Sequence, residues 1–256
     1  MNTERYTCLE IFAKAKAEGG KISLVSGKGE KMEKEASPVF YTWMKFSVEQ
    51  NTEYEIESDT CEVTLCYLSG NEDMLETGVR YLEKEKGSGR YLPAREEEHY
   101  NSSIRETYHF APWKNWMNDP NGLCYFKGYY HMFYQFNPHG QEWSNMYWGH
   151  AASKDLVHWV HLPVALAPQK EIMEKPGELV GGAFSGCAVV EGGEAVFYLT
   201  RHIEPRGDSG RQTESQWMMK SKDMIHFTEE KCLIERKPEG ASFDFRDPKV
   251  EKIDGR

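Results

Sequence analysis

Two aspartates in this chain stand in settings suited to acid–base or nucleophilic chemistry. Asp119 lies in Trp116-Met117-Asn118-Asp119-Pro120-Asn121-Gly122, and Asp247 in Phe245-Arg246-Asp247-Pro248. An Asp-Pro step that opens a strand after a turn is common in itself. What singles these two out among 41 acidic residues is that they occupy corresponding places in a sequence repeat. Two carboxylates facing one cavity are what cleavage of a glycosidic bond requires, one as nucleophile or base and one as acid. Arg246 beside Asp247 argues against Asp247 as the acid. A neighbouring guanidinium favours the charged carboxylate, whereas an acid catalyst needs its proton held. Asp247 therefore suits a charge-stabilising or hydroxyl-binding role.

The elements that must position these residues come from the repeat. Ser153-Lys154-Asp155-Leu156-Val157-His158-Trp159 recurs 68 residues later as Ser221-Lys222-Asp223-Met224-Ile225-His226-Phe227. Upstream of each copy, two strand-sized runs flank a glycine turn. Leu123 to Phe126 and Tyr129 to Phe136 surround Lys127-Gly128, and Cys187 to Val190 and Ala195 to Thr200 surround Gly192-Gly193. A third unit opens with Pro248 to Ile253 and the hairpin signal Asp254-Gly255. The corresponding segments just before each first strand are Asn118 to Gly122, Phe184-Ser185-Gly186 and Phe245 to Pro248.

A repeat of several short strands predicts β-propeller blades, longer than the ~40–45 residues of a WD40 blade. Two tandem β-meanders in a sandwich would show the same repeat. In a propeller the first strand of each blade lines the central channel, so Asp119 and Asp247, 128 residues apart, converge on one pocket.

Residues 1 to about 100 read as a separate, small β-rich module. Lys21-Ile22-Ser23-Leu24-Val25 and Val63-Thr64-Leu65-Cys66-Tyr67-Leu68 are strand-sized runs. Gly87-Ser88-Gly89 and the acidic run Arg95-Glu96-Glu97-Glu98 read as its close and a linker. No catalytic constellation appears there. The second domain is read as 101–256.

The net charge of −10 argues against nucleic acid or an anionic membrane as partner. Six cysteines without CxxC pairs suit reduced thiols rather than a disulfide framework. No apolar run approaches the ~20 residues of a membrane helix, and Met1 to Tyr6 lead into no apolar signal-peptide core. The cytoplasm is the expected compartment. His158 and His161 sit too irregularly for a shared metal-binding face, so no metal is expected. The richness in Tyr, Phe and Trp suits strands first and sugar stacking second.

The stretch from Tyr108 to Arg256 resembles the amino-terminal half of the family 32 glycoside hydrolases, which include invertases, sucrose-6-phosphate hydrolases, levanases and inulinases. The Trp116–Gly122 heptamer carries most of the resemblance. Tyr134-Gln135-Phe136-Asn137-Pro138, Trp148-Gly149-His150-Ala151, Ser153-Lys154-Asp155-Leu156, His161-Leu162-Pro163, Ala165-Leu166-Ala167-Pro168, Phe184-Ser185-Gly186 and Arg246-Asp247-Pro248 follow in order. The resemblance implies a five-bladed propeller and retaining hydrolysis of β-fructofuranosides such as sucrose, sucrose 6-phosphate or fructans, with no metal or organic cofactor. The all-β fold expected here is thus a partial five-bladed β-propeller, about two blades plus one strand, behind the small module. By motif, Asp119 is the nucleophile and Asp247 the transition-state stabiliser, supported by Arg246. Asn118, Gln135, Trp143, Phe184 and Ser185 resemble residues lining the fructose pocket. A retaining pair needs carboxyl groups ~5–5.5 Å apart.

The sequence departs from the pattern in two places. The family's acid is a Glu in a Glu-Cys pair some tens of residues after Arg246-Asp247-Pro248, and no Glu-Cys pair occurs in the 256 residues. Very low hydrolysis by this chain is therefore expected. Cys187 stands where a second Ser is usual. A fructosyltransferase and a noncatalytic fructan-binding propeller are the competing readings. An arabinoside- or xyloside-cleaving relative would lack the Asn118–Gly122 signature.

Overall fold

Strand-forming runs dominate the chain, and the structure is all-β apart from three short helices among the described residues. The computed structural model describes residues 1–103, 105–106, 108–208 and 211–253. Two units, Met1–Ala111 and Pro112–Arg256, each hold their own contacts.

The first unit contains β1 (Cys8–Ala15), β2 (Lys21–Ser26), β3 (Lys31–Glu35), β4 (Thr42–Ser47), β5 (Tyr54–Glu57), β6 (Cys61–Ser69), α1 (Met74–Thr77), β7 (Arg80–Lys84), β8 (Tyr91–Pro93) and α2 (Glu96–Tyr100). They form one sheet in the order β4-β1-β6-β7-β8 and another in the order β3-β2-β5. The two runs expected as strands are β2 and β6. Ile22 and Leu24 of β2 are buried, and so is Ser23 between them, while Lys21 at its start is exposed. Gly87-Ser88-Gly89, read from sequence as the module's close, is instead the turn of the β7–β8 hairpin. Tyr91 explains the extension: its ring is buried and its hydroxyl lies 2.9 Å from Ser58 Oγ.

The second unit is two blades. The first comprises β9 (Trp116–Phe126), β10 (Tyr129–Asn137), β11 (Tyr147–Ser153) and β12 (Trp159–Leu166); α3 (Lys170–Glu174) leads to the second, β13 (Leu179–Glu191), β14 (Glu194–Pro205), β15 (Thr213–Ser221) and β16 (Lys231–Ile234). Each is a four-stranded antiparallel meander with strands in sequence order. Lys127 and Gly128 have φ of 49° and 88°, and Gly192 and Gly193 of 61° and 81°. Two successive left-handed residues are what a tight hairpin turn matched to strand twist requires.

The sequence repeat is a repeated turn. Asp155 Oδ1 accepts the amides of Val157 and His158 at 2.9 and 2.8 Å, and Asp223 Oδ1 accepts those of Ile225 and His226 at 2.9 and 2.7 Å. His158 and His226 each return Nδ1 to their aspartate at 2.7 Å. Leu156 and Met224 adopt φ of 66° and 68°, a cost that these side-chain bonds to the turn offset.

Between the blades lies a shared core that includes Phe133, Trp148, Phe197, Leu199, Met219 and Met224. Phe133 and Phe197 meet edge to face, centroids 4.9 Å apart. Burying side chains of this size stabilises the seam by roughly 1.5–3 kcal/mol each. Gln135 Nε2 donates to Ala183 O at 2.8 Å and Trp148 Nε1 to Phe184 O at 3.1 Å, which fixes β13 against the first blade. Gly182 makes the close approach possible. Its φ is +127°, and a Cβ there would sit 2.4 Å from Met146 O.

Two sequence expectations are corrected. The segments placed just before the first strands lie inside them, Asn118–Gly122 within β9 and Phe184–Gly186 within β13. Register shifts at both segments let the strands continue through them. The strand expected over Pro248 to Ile253 forms no ladder among the described residues. Its Val250 amide donates instead to Cys187 Sγ at 3.2 Å. Asp254-Gly255, the expected hairpin turn, lies outside the described residues. No helix among the described residues is long and apolar enough to cross a membrane.

Candidate active site

Asp119 projects from β9 and is exposed. Ser185 on β13 is buried, and its Oγ donates to Asp119 Oδ2 at 3.0 Å. The carboxylate is thereby tied to the neighbouring blade. Asn118 accepts Trp116 Nε1 on its Oδ1 at 2.8 Å, and Gln135 is held by its bond to Ala183.

Asp247 is carried on the segment after β16, anchored by three side chains of β14 and β15. Thr200 Oγ1 accepts the Asp247 amide at 3.1 Å and donates to Gln216 Oε1 at 2.9 Å. Gln216 Nε2 donates to Phe245 O at 2.6 Å, and Glu214 Oε2 accepts the Phe245 amide. These anchors hold Asp247 at φ +59°, a left-handed conformation that costs an ordinary residue about 1–2 kcal/mol.

A cavity of about 350 Å³ is lined by Asn118, Asp119, Gln135, Trp143, Phe184, Ser185, Arg246 and Asp247, and also by His202, Glu204, Gln212 and Asp244. The residues singled out from sequence thus lie around one space. Trp143 meets Phe184 edge-on at 6.3 Å, and the His202 ring lies parallel to Phe184 at 4.1 Å. The result is an aromatic wall facing two aspartates.

The electrostatic expectation for Asp247 is corrected. Burial pushes its carboxyl above the ordinary aspartate value; Arg246 opposes this, while the charges of Asp119, Glu214 and Asp244 add to it. The reason is geometric. Arg246 gives Nη1 to Glu214 Oε1 at 3.1 Å and also to Asp244, and its Nε lies 4.0 Å from Asp247 Oδ2. Its charge is shared among three carboxylates, so adjacency in sequence overstated its hold on one.

His202, Glu204 and Gln212, with Glu214 and Gln216 behind them, were not singled out from sequence. The available signal was polar alternation in the inner strands: Thr200-x-His202-x-Glu204 in β14 and Glu214-x-Gln216 in β15.

Blades built of four-stranded meanders, with two aspartates and an aromatic wall at their shared cavity, define a propeller domain of the glycoside hydrolase type. The description "Glycosyl hydrolases family 32 N-terminal domain" matches residues 109–256, and the chain belongs to that family. It is 47% identical over 146 residues to sucrose-6-phosphate hydrolase of Zymomonas mobilis, covering 57% of this chain and 27% of that protein. It is 40% identical over 164 residues to levanase of Bacillus subtilis, covering 61% and 22%. The chain therefore spans about a quarter of the length of these curated relatives. A solved glycoside hydrolase family 32 structure from Bifidobacterium adolescentis superposes with a TM-score of 0.89 at 36% identity, covering 100% of this chain and 43% of that one. That likeness includes the first unit.

Proposed function

We propose that this chain carries the nucleophile side of a β-fructofuranosidase site, acting on terminal β-D-fructofuranosides such as sucrose, sucrose 6-phosphate or fructans by a retaining double displacement. The observation that carries the reading is that Asp119 and Asp247, from different repeat units, line one sugar-sized cavity walled by Trp143 and Phe184. The relatives named as a sucrose-6-phosphate hydrolase and a levanase support the substrate class.

In this mechanism Ser185 holds Oδ2 of Asp119, and Oδ1 attacks the anomeric carbon of the fructosyl group. A fructosyl–Asp119 ester forms as the leaving group departs, and water then cleaves it. Asp247 accepts sugar hydroxyls, and its negative charge stabilises the oxocarbenium-like transition state. Arg246, clamped by Glu214, orients the segment that carries Asp247.

Departure of an alkoxide needs a proton. No Glu-Cys pair occurs in these 256 residues, so cleavage of sucrose by this chain is proposed to be very slow. A fructosyl fluoride, whose fluoride leaves unprotonated, bypasses that need. Incubation with β-fructosyl fluoride followed by peptide mass spectrometry is expected to find a hexosyl adduct on Asp119, absent in Asp119→Asn. Brisk cleavage of sucrose overturns the expectation of slow turnover, and labelling elsewhere and not at Asp119 sinks the reading.

A further inference from the structure

Two polar atoms of residues at the cavity are buried and make no hydrogen bond among the described residues: Nε2 of His202 and Oε1 of Gln212. Both residues line the cavity. Buried polar groups are otherwise almost always paired, because an unmade hydrogen bond leaves the full cost of desolvation. Two such atoms on residues that line one space point to a ligand rich in hydroxyls.

His202 is the better built of the two. It is 4% exposed, and its ring is fixed by stacking and by a hydrogen bond. The ring lies 4.1 Å from that of Phe184 with an interplanar angle of 4°. Its Nδ1 lies 3.0 Å from Oε1 of Glu214, the residue directly opposite on β15. A carboxylate only accepts, so Nδ1 carries the hydrogen of that bond. Glu214 in turn is buried and held by Arg246 and the Phe245 amide. The ring cannot turn without breaking that network, so Nε2 is held in place on a residue that lines the cavity. Glu204 follows two residues later on the same face of β14. Its Oε2 lies 3.4 Å from Nε2, without the geometry of a hydrogen bond.

We propose that His202, oriented by Glu214, is a further sugar-binding residue of this cavity. Its Nε2 pairs with one hydroxyl of the fructoside, and the Glu204 carboxylate accepts from a neighbouring one. A hydroxyl both donates and accepts, so it can pair with Nε2 in either of that nitrogen's roles. Gln212 Oε1 accepts a third. Glu214 touches no sugar and acts as a positioning residue. The inference rests on reading the cavity as a fructoside site.

The test is NMR titration of the 256-residue chain with fructose, sucrose and a panel of monodeoxyfructoses. His202→Phe keeps the ring over Phe184 and removes both nitrogens. It is expected to weaken fructose binding about three- to tenfold. One deoxy sugar is expected to bind the unaltered chain equally weakly and to lose nothing more in His202→Phe. If His202→Phe binds fructose as the unaltered chain does while Phe184→Ala loses it, this proposal is overturned and the fructoside reading stands. If every deoxy sugar loses as much in the variant as fructose does, His202 is structural and the proposal is again overturned. If the unaltered chain binds none of these sugars, both readings fall. Should His202→Phe not fold, Glu214→Gln, which loosens the same ring, serves in the same comparison with the same outcomes.

Discussion

Ser185 Oγ donates a hydrogen bond to Oδ2 of Asp119 at 3.0 Å, across 66 residues and between the first strands of two blades. The bond decides which carboxylate oxygen of Asp119 is held and which, in the proposed mechanism, is left for attack. It exists because Gln135 and Trp148 grip the backbone carbonyls of the two residues that lead into Ser185, Ala183 and Phe184.

Replacing Ser185 with Ala removes that bond without changing the strand. Labelling of Asp119 by β-fructosyl fluoride is expected to slow about tenfold, the worth of one hydrogen bond to a charged group. The melting temperature should stay within a degree or two. An unchanged labelling rate would show that Asp119 is oriented by something else.

Asp247→Asn separates stability from function. Burial holds the Asp247 carboxyl above its ordinary value, so the folded state disfavours the ionised form. Near neutral pH the charge therefore opposes folding, and this penalty fades as the pH falls and the group is protonated. The Asn variant is expected to melt no lower than the unaltered chain at pH 7 and to bind fructose at least tenfold more weakly, since hydrogen bonds to a charged acceptor are lost. A variant that melts lower yet binds sugar normally contradicts both halves.

The first blade carries an acid-sensitive pair. His131 Nδ1 lies 3.1 Å from His150 Nε2, and both rings are buried. Burial pushes His131 down to about 4, and burial together with His131 holds His150 well below the ordinary value of 6.5. Folded-state values below the unfolded one mean that stability is fully present above 6.5 and lost as the pH falls toward the folded value. Each histidine contributes a slope of about 1.4 kcal/mol per pH unit in that window. Urea unfolding between pH 7 and 4 should show this decline, and His131→Asn should make it shallower. Parallel declines for the two proteins would rule out the pair as its source.

Gly182→Ala tests the seam. The added Cβ would meet Met146 O at 2.4 Å, at a φ of +127° that side chains rarely adopt. The three nearest atoms are all backbone of Met146, whose N and O are hydrogen-bonded to Gly181 and Ala183 and leave little room to relax, so a loss of about 2–4 kcal/mol is expected from denaturant unfolding. A loss under about 0.5 kcal/mol, the range of a neutral surface change, would mean that Gly182 and Met146 do not meet this closely.

Much of the site was legible because the repeat is local chemistry. Ser153 to His158 and Ser221 to His226 fold into the same turn by bonds spanning two to three residues, so the sequence alone locates the third-to-fourth strand connection of each blade. The glycine turns at Gly128 and Gly193 are legible for the same reason. What the repeat did not show is where the first strands begin, since β9 and β13 run through their motifs on register shifts that no residue type announces.

Sequence by itself determined that this is an all-β, blade-repeating chain of glycoside hydrolase family 32, with Asp119, Asp247 and an aromatic wall as the groups to examine. Tertiary structure decided the partnerships. Arg246, adjacent to Asp247 in sequence, has Glu214 and Asp244 as its nearer partners, and Asp247 is governed by burial more than by its neighbour. His202 entered the cavity only when β14 paired with β15 and set it opposite Glu214. The physical reason is common to both: charge and desolvation act through distance and solvent access, and in a sheet these follow from cross-strand register.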